Sequence, residues 1–473
     1  MKRLYRIIFA LVLIASSFAT YAQNDGITFS LLPHSPYKNF LNPGIRVPYK
    51  GMVGVGISNV SFNVYNSSIK AGDIYGTNSY GEDVIDAISI MNSLDEHDNF
   101  INSKMSLDVL NVGFRVNKLF FNVDWRLRAD VELNYDKDFI GLFVLGNYAY
   151  LGENACDFAV GIDATAYSEF GIGVQYDINE KLTVGIRPKL LGGVLNIDAG
   201  NEKTRIFTDP NTYAISGDVN IDIKAASVMN SDISRISDVF KMFDTDSIAV
   251  QDMFNFTENI GFGVDFGASY TFNEHVGVAL GVYDLGYIKW KDAKTKQKNE
   301  ENVSLNDALF ETFTDLAGMN LNYSSLLDDV VDAVWGNDSL QKGGEYTTYL
   351  KTRIMAQGYY EFNPMVRLTG IAQMYYIKNQ LRPALTLAYS GEFWKMLDLT
   401  ASFTLSKYSG TALGLGLGFH AGPFNFYAVT DNVLVLTKIS KPMAEAATSY
   451  TATNFRLGIV WTIGKYQYAD SQE

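Results

Sequence analysis

The stretch Phe121-Asn122-Val123-Asp124-Trp125-Arg126-Leu127-Arg128-Ala129-Asp130-Val131-Glu132-Leu133 decides the fold. Phe121, Val123, Trp125, Leu127, Ala129, Val131 and Leu133 share one face, and Asn122, Asp124, Arg126, Arg128, Asp130 and Glu132 share the other. Period-two alternation marks a β-strand. The run is longer than the ~5–6 residues usual in soluble strands. The pattern recurs. Leu397, Leu399, Ala401, Phe403 and Leu405 alternate with Asp398, Thr400, Ser402, Thr404 and Ser406. Leu413, Leu415, Leu417 and Phe419 alternate with three glycines and His420, and Phe455, Leu457, Ile459, Trp461 and Ile463 with polar or small residues. A secreted sandwich would turn the apolar face inward; a membrane barrel turns it to lipid and keeps the polar face in the lumen.

Export is also written in the chain. Lys2, Arg3 and Arg6 precede an apolar run from Ile7 to Ala15, and Thr20-Tyr21-Ala22 offers a cleavage site, so residues 1–22 are expected to be a signal peptide. The apolar run is too short for a spanning helix, which needs ~20 residues. The expected organisation is then a periplasmic or plug segment at 23–50, an outer-membrane barrel over 51–464 and a periplasmic tail at 465–473.

Four similar tips set the topology. Tyr176, Tyr270, Tyr360 and Phe114 each stand three residues before a turn asparagine, at Asn179, Asn273, Asn363 and Asn117. Asparagine suits tight turns, and aromatic residues at strand ends suit an interfacial girdle. Short turns lie on the periplasmic side of such barrels. Placing all four tips there orders strands at 51–64, 105–117, 119–133, 162–178, 181–199, 258–272, 275–290, 346–362, 365–378, 381–390, 396–406, 411–420, 423–430 and 453–464. These make an all-β, antiparallel transmembrane barrel of about fourteen strands, with both ends of the chain in the periplasm. The stretch 203–226 cannot be one more crossing without inverting the Asn273 tip, so it is expected above the membrane.

Composition agrees. Of 473 residues, 14% are aromatic and only 19% charged, against about 25% charged in ordinary soluble chains. Loss of the signal would leave 35 basic against 52 acidic residues, net −17, a charge that speaks against nucleic-acid binding. One cysteine, Cys156, excludes a disulfide framework. His34, His97, His275 and His420 are widely spaced, and no hydrolase elbow or phosphate loop occurs, so no enzyme, cofactor or metal site is expected.

The polar faces carry the candidate functional residues. Asp124, Arg126, Arg128, Asp130 and Glu132 lie on one strand; Glu169, Arg187, Lys189 and Asp265 fall on the lumenal face of its neighbours. Lys351, Arg353, Arg367, Asp398, His420 and Arg456 join them by face. They would form either a salt-bridge ladder or a selectivity lining for an anionic head group. Fourteen strands enclose more space than side chains alone fill. Residues 23–47, or the apolar segment 138–147, would occupy the remainder as a plug. The long loops show helical stripes, Val84/Ile88/Met91, Ile233/Ile236/Phe240/Phe243 and Leu326/Leu327/Val330/Val331/Val334. These would cap the barrel or form an apolar lid or docking surface.

Several short motifs carry a resemblance. They are Leu41-Asn42-Pro43-Gly44, Phe170-Gly171-Ile172-Gly173-Val174 with Lys181-Leu182-Thr183-Val184-Gly185, Asp284-Leu285-Gly286-Tyr287-Ile288-Lys289-Trp290, and Thr430-Asp431-Asn432. In this order they resemble the Bacteroidota outer-membrane barrels catalogued as domain of unknown function 5723. That group is itself similar to fatty-acid-transporter barrels and to barrels associated with type IX secretion and gliding. Arg456 to Ile463 has the form of a barrel-assembly signal, though the last strand stops short of the C-terminus. The resemblance implies a place in outer-membrane lipid and handling by the barrel-assembly machinery. It also implies either a plugged channel for a small hydrophobic or amphipathic solute, or a scaffold docking a surface protein.

Overall fold

The computed structural model describes residues 27–35, 37–68, 75–77, 83–97, 99–152, 154–200, 204–228, 256–291, 293–305, 340–363, 366–377, 380–394, 396–406, 410–433 and 452–465. The expected signal peptide at 1–22, the expected tail from 466 and the expected helical stripes at 233–243 and 326–334 lie outside these residues.

Fourteen antiparallel strands close into a barrel. They are β1 (Tyr49–Asn66), β2 (Asn99–Val116), β3 (Leu119–Tyr135), β4 (Val160–Asp177), β5 (Leu182–Gly200), β6 (Ile260–Thr271) and β7 (Val276–Trp290). β8 (Thr352–Asn363), β9 (Val366–Ile377), β10 (Gln380–Phe393), β11 (Leu397–Ser406), β12 (Gly410–Ala421), β13 (Phe424–Thr430) and β14 (Ala452–Lys465) complete the wall. Each pairs with the next, and β14 pairs back on β1, with Tyr49 opposite Lys465 and Val53 opposite Trp461. Closure leaves no strand edge. The sequence places every one of these strands. The departure is the expected 346–362 segment, which divides into Tyr346–Tyr349 and β8.

The alternation orients as a lipid-facing barrel requires. Leu381, Leu385 and Leu387 on β10 stand outward, more than half exposed, while Arg382, Ala384 and Thr386 between them are buried. The tip aromatics Phe114, Tyr176, Tyr270 and Tyr360 are all outward-facing and 38–52% exposed, in a ring at the short-turn end. The turn asparagines act in two ways. Asn117 takes the left-handed conformation at φ 52°. Asn179 and Asn273 instead accept backbone N–H bonds through Oδ1, from Lys181 and Leu182 and from His275 and Val276.

The described residues before β1, 27–35 and 37–48, lie inside the wall. They carry two short helices, α1 (Ile27–Ser30) and α2 (Lys38–Leu41). Phe29, Leu32, Tyr37 and Val47 pack on Tyr49, Met52, Phe120, Tyr427, Val429 and Val460, and Ile27 and Leu31 on Tyr283, Met355, Ile371 and Ala388. Burying each large apolar side chain stabilises by about 1.5–3 kcal/mol. This explains why inward-facing positions near the short turns include apolar residues in an otherwise polar lumen. The Leu41-Asn42-Pro43-Gly44 motif runs directly over two wall glycines. A Cβ on Gly185 would strike the Pro43 carbonyl, and one on Gly267 the Asn42 side chain.

A separate apolar core sits at the long-loop end. Strand Ile215–Ser227 pairs with the top of β5, with Arg205–Thr208 and with Lys294–Ser304, so the described part of the expected 203–226 stretch, 204–226, stands beyond the barrel as a hairpin. Helices α3 (Ala87–Ser93) and α4 (Lys137–Leu145) cover it, with Ile90, Leu142, Phe158, Ile197 and Ile221 buried between them. Segment 138–147 therefore belongs to this cap and not to a plug: Leu142 is buried in the apolar cap core, with Phe139 and Ile140 packed against it, where the polar lumen would leave them unmatched.

Candidate functional site

The candidate site is the charged lumen, and strand pairing builds it. Arg126 on β3 lies opposite Glu169 on β4, and Arg187 on β5 opposite Asp265 on β6. Inward residues two apart along each strand then stack into tiers.

Arg187 is the hub of the middle tier and is 1% exposed. Its Nε donates to Asp124 Oδ1 at 2.9 Å, its Nη1 to Asp265 at 2.9 Å and its Nη2 to Glu169 at 2.5 Å and to Asp124. Lys189 contacts Asp265 at 2.6 Å and Asp284 at 2.5 Å. Arg128 holds Asp284 through two N–H groups, at 2.9 and 3.2 Å, and Glu169 at 3.0 Å. Arg126 stands 3.5 Å from both Asp108 and Asp124. Paired charges of this kind are the ordinary solution for ionised groups held away from water.

The tier nearer the long loops joins Glu132 to Arg382, at 2.9 and 3.2 Å, and Lys351 to Asp130 at 2.7 Å. At the short-turn end, Asp177 receives Arg46 of the N-terminal segment at 2.9 Å and Arg115 at 2.8 Å. Arg353 lies over the rings of Tyr283 and Tyr375, 4.6 and 5.7 Å from their centroids. Arg456 lies 4.7 Å over Phe29. Asp398 and His420 meet each other and His34. Arg367 faces inward only at the short-turn mouth, 37% exposed and 2.7 Å from Glu361, and it takes no part in the tiers.

All the lumenal candidates named from the sequence thus face inward, and most meet. Asp284 escaped the alternation. β7 carries a bulge opposite Asp265, and Asp284, at φ 54°, turns into the lumen beside Tyr283. A bulge re-aims side chains in this way. Asp108 was hidden by a similar register shift in β2. Arg382 and Glu392 lie on β10, a strand that reads from its apolar face.

Between the middle tier, the Thr347–Lys351 segment and β9 lies a cavity of about 680 Å³. Eight basic side chains line it (Lys104, Arg126, Arg128, Arg187, Lys189, Lys351, Arg353 and Arg456). Five acidic ones face them (Asp130, Asp163, Asp198, Asp265 and Asp284), with Tyr167, Tyr283, Tyr375 and Leu350 as apolar walls.

An outward apolar belt, a closed fourteen-strand wall and a charged, partly filled lumen define a transmembrane β-barrel. Residues 43–431 match the family described as "Family of unknown function (DUF5723)", and the chain belongs to it. No curated protein sequence matches the chain. Among solved structures it is similar to a Pseudomonas aeruginosa FadL homologue, at 8% identity and a TM-score of 0.44, covering 94% of this chain and 99% of that one. It is also similar to the Ralstonia pickettii toluene transporter TbuX, at 10% identity and a TM-score of 0.40, covering 91% and 94%. The Pseudomonas putida toluene transporter TodX matches at 8% identity and 0.37, covering 94% and 93%.

Proposed function

We propose that the chain is an outer-membrane channel that admits a small amphipathic solute with an anionic end. In this reading the short turns face the periplasm, residues 23–50 act as the plug, and barrel-assembly machinery inserts the wall into outer-membrane lipid. The observation that carries it is the lumenal cavity, where basic side chains outnumber acidic ones beside a tyrosine-rich wall. Cations attract the head group and tyrosine faces take the apolar part. The buried tiers beneath act as the ladder that keeps these groups in place.

The test is uptake into proteoliposomes of an anionic and a neutral amphipath of equal size. Lys104 lines the cavity, 3.9 Å from Asp130 and over the Tyr375 ring. Lys104→Gln should lower the anionic-to-neutral uptake ratio about fivefold, equivalent to ~1 kcal/mol for one part-screened charge. An unchanged ratio contradicts the reading.

A second reading, a scaffold that docks a surface protein, draws on the cap. Ile88, Tyr148 and Tyr213 there are 56–73% exposed. Such residues suit a protein contact, but they do not account for the lumenal cavity.

A further inference from the structure

Two of the four histidines, remote in sequence, meet at the short-turn mouth. His34 comes from the N-terminal segment and His420 from the end of β12; their rings are 4.5 Å apart. Asp398, at the start of β11, lies between them and is 2% exposed. Its Oδ1 is 3.0 Å from His34 Nδ1 and 3.1 Å from His420 Nε2, and its Oδ2 accepts the His34 backbone N–H at 2.8 Å. Gly418, opposite Asp398 across the β11–β12 pair, leaves room for that carboxylate.

This arrangement fixes both rings. An ionised carboxylate only accepts, so each ring nitrogen facing Asp398 carries its proton. In neutral rings His34 Nε2 and His420 Nδ1 then keep free lone pairs. A carboxylate that orients a histidine through one nitrogen while the other binds a metal is the usual outer shell of a zinc site. The third ligand is present. Glu392, at the end of β10, places Oε2 3.6 Å from His34 Nε2. That is too long for a hydrogen bond. It is near the ~3.3 Å edge of a tetrahedron with metal–ligand legs of about 2.0–2.2 Å. One ligand atom each from His34, Glu392 and His420 lies within 4.8 Å of those of the other two. His34 and Glu392 are 17% exposed and His420 12%, so water reaches the site and can supply a fourth ligand.

We propose that His34, Glu392 and His420 bind one divalent transition cation of the Zn²⁺ type, with Asp398 as the positioning residue behind both histidines. Two imidazoles and one carboxylate suit Zn²⁺ and not Ca²⁺ or Mg²⁺, which take oxygen ligands. Because His34 lies on the N-terminal segment and the others on the wall, the ion would staple that segment to the barrel. The proposal needs no transport activity and stands or falls apart from it.

The experiment uses the folded full chain in detergent micelles, stripped with chelator and titrated with Zn²⁺ by calorimetry and with Co²⁺ by visible absorption. One Zn²⁺ per chain, tetrahedral Co²⁺ bands and no response to Ca²⁺ or Mg²⁺ are expected. His34→Ala, which leaves the wall intact, should abolish the bands, and Glu392→Gln should weaken Zn²⁺ at least tenfold. Asp398→Asn should weaken it about 10–100-fold, as loss of an outer-shell partner does. Absence of stoichiometric Zn²⁺ binding in the parent chain, or binding unchanged in His34→Ala, overturns the proposal.

Discussion

Replacing Arg187 by leucine tests the charged wall where it is most tightly knit. The side chain is 1% exposed and meets three carboxylates that are 0–2% exposed. Its loss does not strand them equally. Glu169 keeps Arg128 at 3.0 Å and Lys189 at 3.8 Å. Asp265 keeps Lys189 at 2.6 Å and the Asp284 backbone N–H at 2.7 Å. Asp124 keeps only longer contacts, Asn122 Nδ2 at 3.1 Å and Arg126 at 3.5 Å. Breaking a buried pair costs about 3–5 kcal/mol, much of it from the charge left behind. Arg187→Leu should therefore destabilise the barrel by that amount. Adding Asp124→Asn should restore about 1–3 kcal/mol, the size of a contact coupling; adding Asp265→Asn should restore less. The assay is urea unfolding in micelles, followed by tryptophan fluorescence and by the heat-resistant folded band on a gel. A loss below about 1 kcal/mol, as for an exposed pair, would refute the reasoning, as would a larger rescue from Asp265→Asn.

Two further outcomes follow from the same geometry. Leu387 on β10 is 54% exposed on the outer face, so Leu387→Arg should cost about 2–4 kcal/mol near the bilayer midplane in a lipid-refolding titration. A cost near zero would mean that this face does not meet lipid. Lys38, on the N-terminal segment, has its pKa lowered to about 7, first by burial and then by Arg367. Docking of the segment is penalised while the amine is charged in both docked and free states, below pH 7. The penalty fades as pH rises from about 7 toward the free value of 10.5. Protection of Arg46 from trypsin should accordingly increase between pH 7 and pH 9, and Lys38→Met should flatten that dependence.

Much of this architecture was legible because a membrane barrel writes its two faces with period two. The Phe121–Leu133 run gave a lumenal face whose charges all turn inward in the structure, whereas the upper end of its apolar face, Val131 and Leu133, packs on the cap core and not on lipid. The tip asparagines set strand direction, since a short turn at Asn179 or Asn273 leaves no room for a crossing. What escaped has local physical causes. Bulges in β2 and β7 shift register, so strict alternation misses Asp108 and Asp284. Arg187 could not be told from Arg126 as the hub, because partner choice depends on the stagger between neighbouring strands. His34 and His420 meet only because the N-terminal segment folds back under β11 and β12, a contact no local spacing encodes. Segment 138–147 is apolar enough for either location; the apolar faces of Ile215–Ser227 and α3, which need a cover, claim it for the cap.

Single-channel recording on the whole chain and on one lacking residues 24–48 tests the account most directly. Phe29, Leu32, Tyr37 and Val47 fill the lumen near the short turns. The whole chain should therefore show low, intermittent conductance. Removing the segment should open a steady and much larger current that prefers anions, as the basic side chains around the cavity require. Equal conductance from the two proteins, with no preference for anions, would contradict both the filled lumen and the proposed solute.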